Sequence, residues 1–261
     1  MLLAITIWVI TLVTVILFAG GFWWFPESAS SHGFLLDKQF VYTLWVTGVV
    51  FILAQVILGY FVFKYKETPD RVAHYSHGSN KFEILWTGAT TLLFFLMVSS
   101  GFQVWYDMYI VQADPEALQI EVTGQQFAWN IRYAGPDGQF GNTEPQFIDD
   151  AGGNPVGLDQ TDPASADDLV LPTMAVPVNR QVKLLLRSKD VTHNFSVREL
   201  RLKQDTVPGI VIPLVFTATK TGRFEIACSE LCGLGHHRMR SFLDVLSIED
   251  YNEWLSDNSE P

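Results

Sequence analysis

Cysteine is scarce in this sequence: two residues in 261, both inside the stretch 228–239. So small a supply excludes a disulfide-stapled scaffold. No Cys-x-x-Cys-His run occurs, which excludes a c-type haem attached to this chain. Positive charge is short as well, with 17 Lys+Arg against 28 Asp+Glu and a formal net charge of −11. A field of that sign disfavours nucleic acid as a partner. Charge of either sign is missing altogether from three long runs, Met1–Phe25, Phe40–Phe63 and Ile84–Tyr106. The sequence also lacks an internal repeat, and its paired acids fit no EF-hand spacing.

The uncharged runs are the first thing present. Each exceeds the roughly 20 residues a helix needs to cross the hydrocarbon layer. Trp23, Trp24, Tyr42, Tyr60, Trp86, Trp105 and Tyr106 cluster near their ends, as at a membrane–water boundary. The first run has no basic n-region and outlasts a signal-peptide core of ~7–15 residues, so a retained third span is expected. Lys64, Lys66, Arg71 and Lys81 separate the second and third runs, whereas the preceding loop has only Lys38. The positive-inside rule then sets that basic loop in the cytoplasm and residues 107–261 outside. This external part carries 12 Lys+Arg against 23 Asp+Glu, so the entire net charge resides there. Acidity of this kind keeps a domain soluble and steers basic partners.

Past residue 106 the pattern changes from continuous apolar runs to short β-rich ones. They cover 118–124, 127–133, 169–174, 181–187, 194–197, 210–217, 223–228 and 242–247. Val182, Leu184 and Leu186 alternate with Lys183 and Arg187, the period of a half-buried strand. Gly, Pro, Asn and Asp separate the runs, which predicts an antiparallel sandwich or barrel. A last helix is predicted over Glu249–Ser256, with Ser247 as a cap. The polar stretch 135–168 has acids and no Lys or Arg, and reads as a solvated loop. The fold class is therefore a membrane-anchored all-β chain. Its expected divisions are a helix over 1–25, a two-helix transmembrane hairpin over 26–106, and a β domain over 107–261 with an acidic insertion at 135–168.

The remaining chemistry is concentrated in "CSELCGLGHHRM", residues 228–239. Cys228 and Cys232 alone would read as a disulfide in an external compartment. His236 follows Cys232 by four positions and Met239 by seven, while His193 ends the segment "SKDVTH". Thiolate, imidazole and thioether together favour copper. A mononuclear blue site needs one cysteine; two thiolates in one loop can bridge two ions. A Cys₂His₂ zinc site remains the alternative, though it leaves Met239 unused.

"CSELCGLGHHRM" resembles the binuclear CuA loop, Cys-x-Glu-x-Cys-Gly-x-x-His-x-x-Met, of cytochrome c oxidase subunit II. "SKDVTHNFSVRELRLKQDTVPG", "FEILWT" and "GQQFAWNIRY" resemble other segments of that family, from about Phe40 to Leu255. The resemblance implies a cupredoxin-like β-sandwich on membrane helices. It implies bridging thiolates from Cys228 and Cys232, terminal imidazoles from His193 and His236, and Met239 as a weak axial ligand. Glu230 would offer its backbone carbonyl to copper and its carboxylate to magnesium at the border with subunit I. His237 matches no ligand position and reads as a surface group. Glu83 corresponds to a glutamate at the mouth of a proton path. The implied activity is electron transfer in a terminal oxidase of the plasma (inner) membrane. Electrons would pass from a c-type cytochrome, or a docked cytochrome-containing complex, through CuA to haem in subunit I. Oxygen would be reduced to water there, with proton translocation, and subunit III would accompany the assembly. Haem would reside only in partners, and this chain would not be catalytic alone.

Several features depart from the family pattern. Gln126, Phe127, Ala128 and Trp129 stand where the family has Gln-Trp-Tyr-Trp, so Phe127 replaces the tryptophan that receives electrons. Phe127 and Trp129 are both candidates for that role, and Trp129 also reads as a core aromatic. The third span and the insertion are additional to the family's usual two-helix plan. A CuA subunit of a haem–copper nitric oxide reductase, or a copper-carrying assembly protein, would show the same ligand loop.

Overall fold

A computed structural model describes residues 1–21, 24–69, 71–72, 74–110 and 112–259; Trp23 lies outside them. The chain divides into two compact units, one of residues 1–25 and 36–105, the other of residues 26–35 and 106–261.

The first unit is helical. Helices α1 (Leu2–Ala19), α2 (Gly33–Lys64) and α3 (Asn80–Tyr109) are each long and apolar enough to span a membrane. An unbroken helix satisfies every internal backbone donor and acceptor, which hydrocarbon requires. At 18 residues, α1 is shorter than its uncharged run, because the chain turns at Gly20 and Gly21, the latter with φ +65°. Gly59 on α2 admits the Trp8 indole of α1; a Cβ there would lie 2.2 Å from Trp8 Nε1. Between α2 and α3, Gln39 Nε2 donates to Ser100 Oγ at 3.1 Å.

The second unit is built from ten strands. They are β1 (Leu118–Gln125), β2 (Ala128–Tyr133), β3 (Leu169–Leu171), β4 (Met174–Pro177) and β5 (Gln181–Ser188). The chain continues with β6 (His193–Val197), β7 (Leu202–Thr206), β8 (Ile212–Thr217), β9 (Gly222–Cys228) and β10 (Arg240–Leu246), followed by helix α4 (Ile248–Ser259). Two five-stranded sheets result, ordered β3-β2-β1-β5-β8 and β4-β10-β9-β6-β7. Alternate residues bury a common core, including Ile120, Val122, Val182, Leu184 and Leu186 from one sheet and Phe195, Ile226 and Leu243 from the other.

The sandwich is mixed rather than purely antiparallel, since β1 runs parallel to β5 and β4 parallel to β10. Period-2 alternation identifies a strand's faces and is blind to its neighbour's direction. Strand β7, "LKQDT", gives no apolar signal, yet it pairs with β6 at the sheet edge with Gln204 opposite Phe195. The run 169–174 is split into two strands that join different sheets, with Pro172 between them.

The insertion is folded rather than merely solvated, because β2 supplies a buried cation. Arg132, 2% exposed, donates to Glu121 at 2.8 Å, to the Gly141 carbonyl at 2.5 Å and to Asp168. Gly141 N–H donates to the same Asp168 carboxylate at 2.9 Å. Nearer the tip, Lys189 Nζ pairs with Asp150 at 2.8 Å. The segment 26–32 is annealed to the sandwich as well: Ala29 accepts from Thr219 N–H at 2.8 Å, and Arg201 donates to Pro26 O at 2.7 Å.

Candidate metal centre

Strand β9 ends at Cys228, β6 begins at His193, and β10 follows directly on Met239, so the three elements deliver ligating atoms to one end of the sandwich. Hydrogen bonds from Ser229 N–H to Asn194 O and from Cys228 N–H to Met239 O, both 3.1 Å, tie these strand ends together. The chain from Cys228 to Met239 folds back over them through a short 3₁₀ turn, His236–Arg238.

The two cysteines are free thiols, buried, with sulfurs 3.8 Å apart. Cys232 Sγ lies 3.7 Å from His236 Nδ1 and 3.7 Å from Met239 Sδ. The Cys228 thiol reaches the Glu230 carbonyl at 3.1 Å. His193, Cys228 and Cys232 each offer a ligand atom, all within 4.8 Å of one another. Of the residues anticipated as copper ligands, His193, Cys228 and Cys232 form one mutual group, while His236 and Met239 lie against Cys232 and the Glu230 carbonyl against Cys228.

The histidine on β6 is the most telling. His193 is fully buried; its Nε2 lies 2.8 Å from Asp190 Oδ1, and its Nδ1 has no hydrogen-bond partner. An imidazole whose Nε2 proton is held by a carboxylate presents a bare lone pair at Nδ1, the form a metal takes. A buried nitrogen without a partner is costly unless something occupies it. Two thiols with a thioether, a carbonyl and a second imidazole against them, together with His193, fit a soft pair of ions, and copper before zinc.

Burial, reinforced by Cys228, pushes the Cys232 thiol up to about 11. Burial acts to raise Asp190 too, but N–H donation from Gln126 and Val191 and contact with His193 outweigh it and hold the carboxyl below its usual value.

Over the loop sits the turn joining β1 to β2. Gln126 Nε2 donates to Cys232 O at 2.6 Å, and Gln126 N–H donates to Asp190 Oδ2 at 2.7 Å. Phe127, 37% exposed, lies on the loop glycines: a Cβ on Gly235 would be 2.3 Å from its ring. Trp129 is 2% exposed and edge-on to His193 and Phe195, at centroid distances of 6.0 and 5.7 Å.

Glu230 and His237 are exposed on the loop. Glu83 stands apart in the other unit, exposed in the first turn of α3. Gln126 and Asp190 went unnoticed as site residues in the sequence; only the Asp-x-x-His spacing of 190 and 193 hinted at the second.

Residues 118–246 match the family model described as cytochrome c oxidase subunit II, periplasmic domain. The alternative cytochrome c oxidase subunit 2 of Bradyrhizobium diazoefficiens is 36% identical over 235 residues, 89% of this chain and 83% of the relative. The chain belongs to the cytochrome c oxidase subunit II family. A second subunit 2, from Cereibacter sphaeroides, is 31% identical over 241 residues, 88% of this chain and 78% of its own length. Among solved structures, the periplasmic domain of subunit II of cytochrome oxidase from Bradyrhizobium japonicum is 26% identical, with a TM-score of 0.39. It covers 55% of this chain and 95% of that one. The sandwich is accordingly a copper-binding, cupredoxin-like subunit II domain carried on apolar helices.

Proposed function

We propose that this subunit II relays electrons through a dinuclear copper centre from a c-type cytochrome to haem in a partner oxidase subunit. Oxygen is reduced to water there, and the reaction is coupled to proton translocation. The carrying observation is the pair of buried thiol sulfurs 3.8 Å apart, with His193, whose Nδ1 has no hydrogen-bond partner, offering a ring nitrogen within 4.8 Å of them. Cys228, Cys232, His193 and His236, with Met239 and the Glu230 carbonyl, would hold the copper. When bound, the copper would supply a one-electron carrier.

The chain's own residues keep that carrier's surroundings constant. His193, Cys228, Cys232 and Met239 are buried at the end of a packed core, so little rearranges when charge changes. Phe127, exposed on the ligand loop, is the better candidate for the point where electrons arrive; Trp129, buried against His193, suits a core role. Exposed Glu230 suits magnesium at the border with the haem-bearing subunit, and Glu83 suits the mouth of a proton path. Subunits I and III are the expected partners, with residues 107–261 on the periplasmic side of the inner membrane. Residues 1–25 would serve as an added helix, 26–106 as the transmembrane hairpin, its first ten residues grouped with the sandwich, and 107–261 as the copper domain.

Electron-spin and near-infrared spectroscopy of the copper-loaded full chain tests the reading. One unpaired electron shared by two copper nuclei is expected. Cys228→Ser and Cys232→Ser should each lose that signal while the strand content stays unchanged. A single isolated copper, or an undisturbed signal in either variant, would refute the assignment.

A further inference from the structure

One residue of the turn between β1 and β2, Gln126, bridges the loop that carries Cys232 and the segment that precedes His193. The ligand loop, with Cys232, is held to Gln126 through its side-chain amide at 2.6 Å. The segment before His193 is held to the same residue through its main-chain N–H, 2.7 Å from Asp190 Oδ2. Asp190 passes that restraint to His193 Nε2 through its other oxygen, at 2.8 Å. The two ends of the site are therefore linked by a chain of three hydrogen bonds that runs through Gln126. Packing makes the contact close: a Cβ on Gly233 would fall 2.7 Å from Gln126 Nε2. Gly233 also has φ +135°, a conformation that favours glycine.

We propose that Gln126 is a positioning residue for the copper centre, locking the Cys232 loop to the Asp190–His193 pair and so fixing the separation of the ligands. The proposal rests on the dinuclear reading above. Its physical basis is that groups hydrogen-bonded to metal ligands fix the direction of those ligands' lone pairs. Gln126 is an exposed residue outside the hydrophobic core, so removing its amide takes nothing from that core. All side-chain variants keep the main-chain N–H bond to Asp190, which isolates the contribution of the bond to Cys232 O.

The test uses the detergent-purified full chain, its thiols reduced beforehand and the reductant removed, loaded with equal amounts of Cu(I) and Cu(II), comparing wild type, Gln126→Ala and Gln126→Glu. The glutamate keeps the length and, ionised, replaces a donor with a repelling acceptor. Copper affinity should fall roughly tenfold or more in both variants, the scale typical of such partners. The copper hyperfine pattern should change alongside it, while the melting temperature of the metal-free chain remains that of wild type. Wild-type affinity and an unchanged spectrum in both variants would overturn the proposal. A lowered melting temperature with an unchanged spectrum would overturn it too, because it would reveal a merely structural residue. Failure of the wild-type chain itself to take up two coppers would instead defeat the functional reading beneath it.

Discussion

At the scale of single residues, the site is defined by which atoms are left without partners and which are not. His193 offers Nδ1 because Asp190 holds Nε2, and Cys232 must lose a proton that its burial retains up to about 11. Copper uptake should therefore release that proton across pH 6–9. From this one group, affinity should rise about tenfold per pH unit, because only the thiolate is a ligand. Equilibrium titration against a competing chelator at several pH values checks this, and a flat profile would contradict a thiolate ligand. Gly235 makes a second prediction. With a Cβ 2.3 Å from the Phe127 ring, Gly235→Ala must push the aromatic off the loop, at about 1–3 kcal/mol of overpacking strain. Denaturant unfolding measures the cost, and an unaltered midpoint would mean that the ring does not rest there. The cysteines, histidines and methionine were legible in the sequence because their chemistry is rare and their spacing tight. Gln126 was not: glutamine is an ordinary surface residue until a fold sets its amide against one particular carbonyl.

At the scale of elements, β2 illustrates how a strand does more than fill a core. Ile131 and Tyr133 face inward, as alternation requires, while Arg132 between them is buried by the insertion it anchors. Glu121 and Asp168 meet its guanidinium from β1 and from the insertion's end. Removing the cation leaves two buried carboxylates, with Arg187 alone to compensate Glu121. Arg132→Ala should thus cost about 3–5 kcal/mol. Loss of protease resistance should appear first within 135–168. Limited proteolysis with mass mapping reads this, and cleavage spread evenly over the sandwich would argue against a clasp. The strand runs with alternating apolar residues were readable, whereas β7 was not, because an edge strand faces solvent and draws its order from the ladder with β6. The parallel pairings β1–β5 and β4–β10 escaped for a related reason: pairing direction depends on residues far away along the chain.

At the scale of the whole molecule, charge is the organising quantity. The helical part up to residue 106 is balanced, and residues 107–261 carry the full −11. If that field steers a basic electron donor, turnover in the assembled oxidase should fall steeply as ionic strength rises. The Debye length shrinks from about 10 Å at 0.1 M to about 3 Å at 1 M. Steady-state oxidation of a basic cytochrome c across this range checks it; a salt-independent rate would point to a permanently docked donor.

By itself, the sequence determined the membrane anchor, the β character of the remainder, and the soft-ligand chemistry of residues 228–239. These follow from local quantities: runs without charge, alternation at period two, and a handful of rare side chains. Only the tertiary structure decided that His193 reaches Cys228 across thirty-five positions of chain, that Asp190 and Gln126 hold His193 and the Cys232 carbonyl, and that residues 26–35 pack with the sandwich. Such contacts join groups distant in sequence through single directional bonds, which no local pattern records.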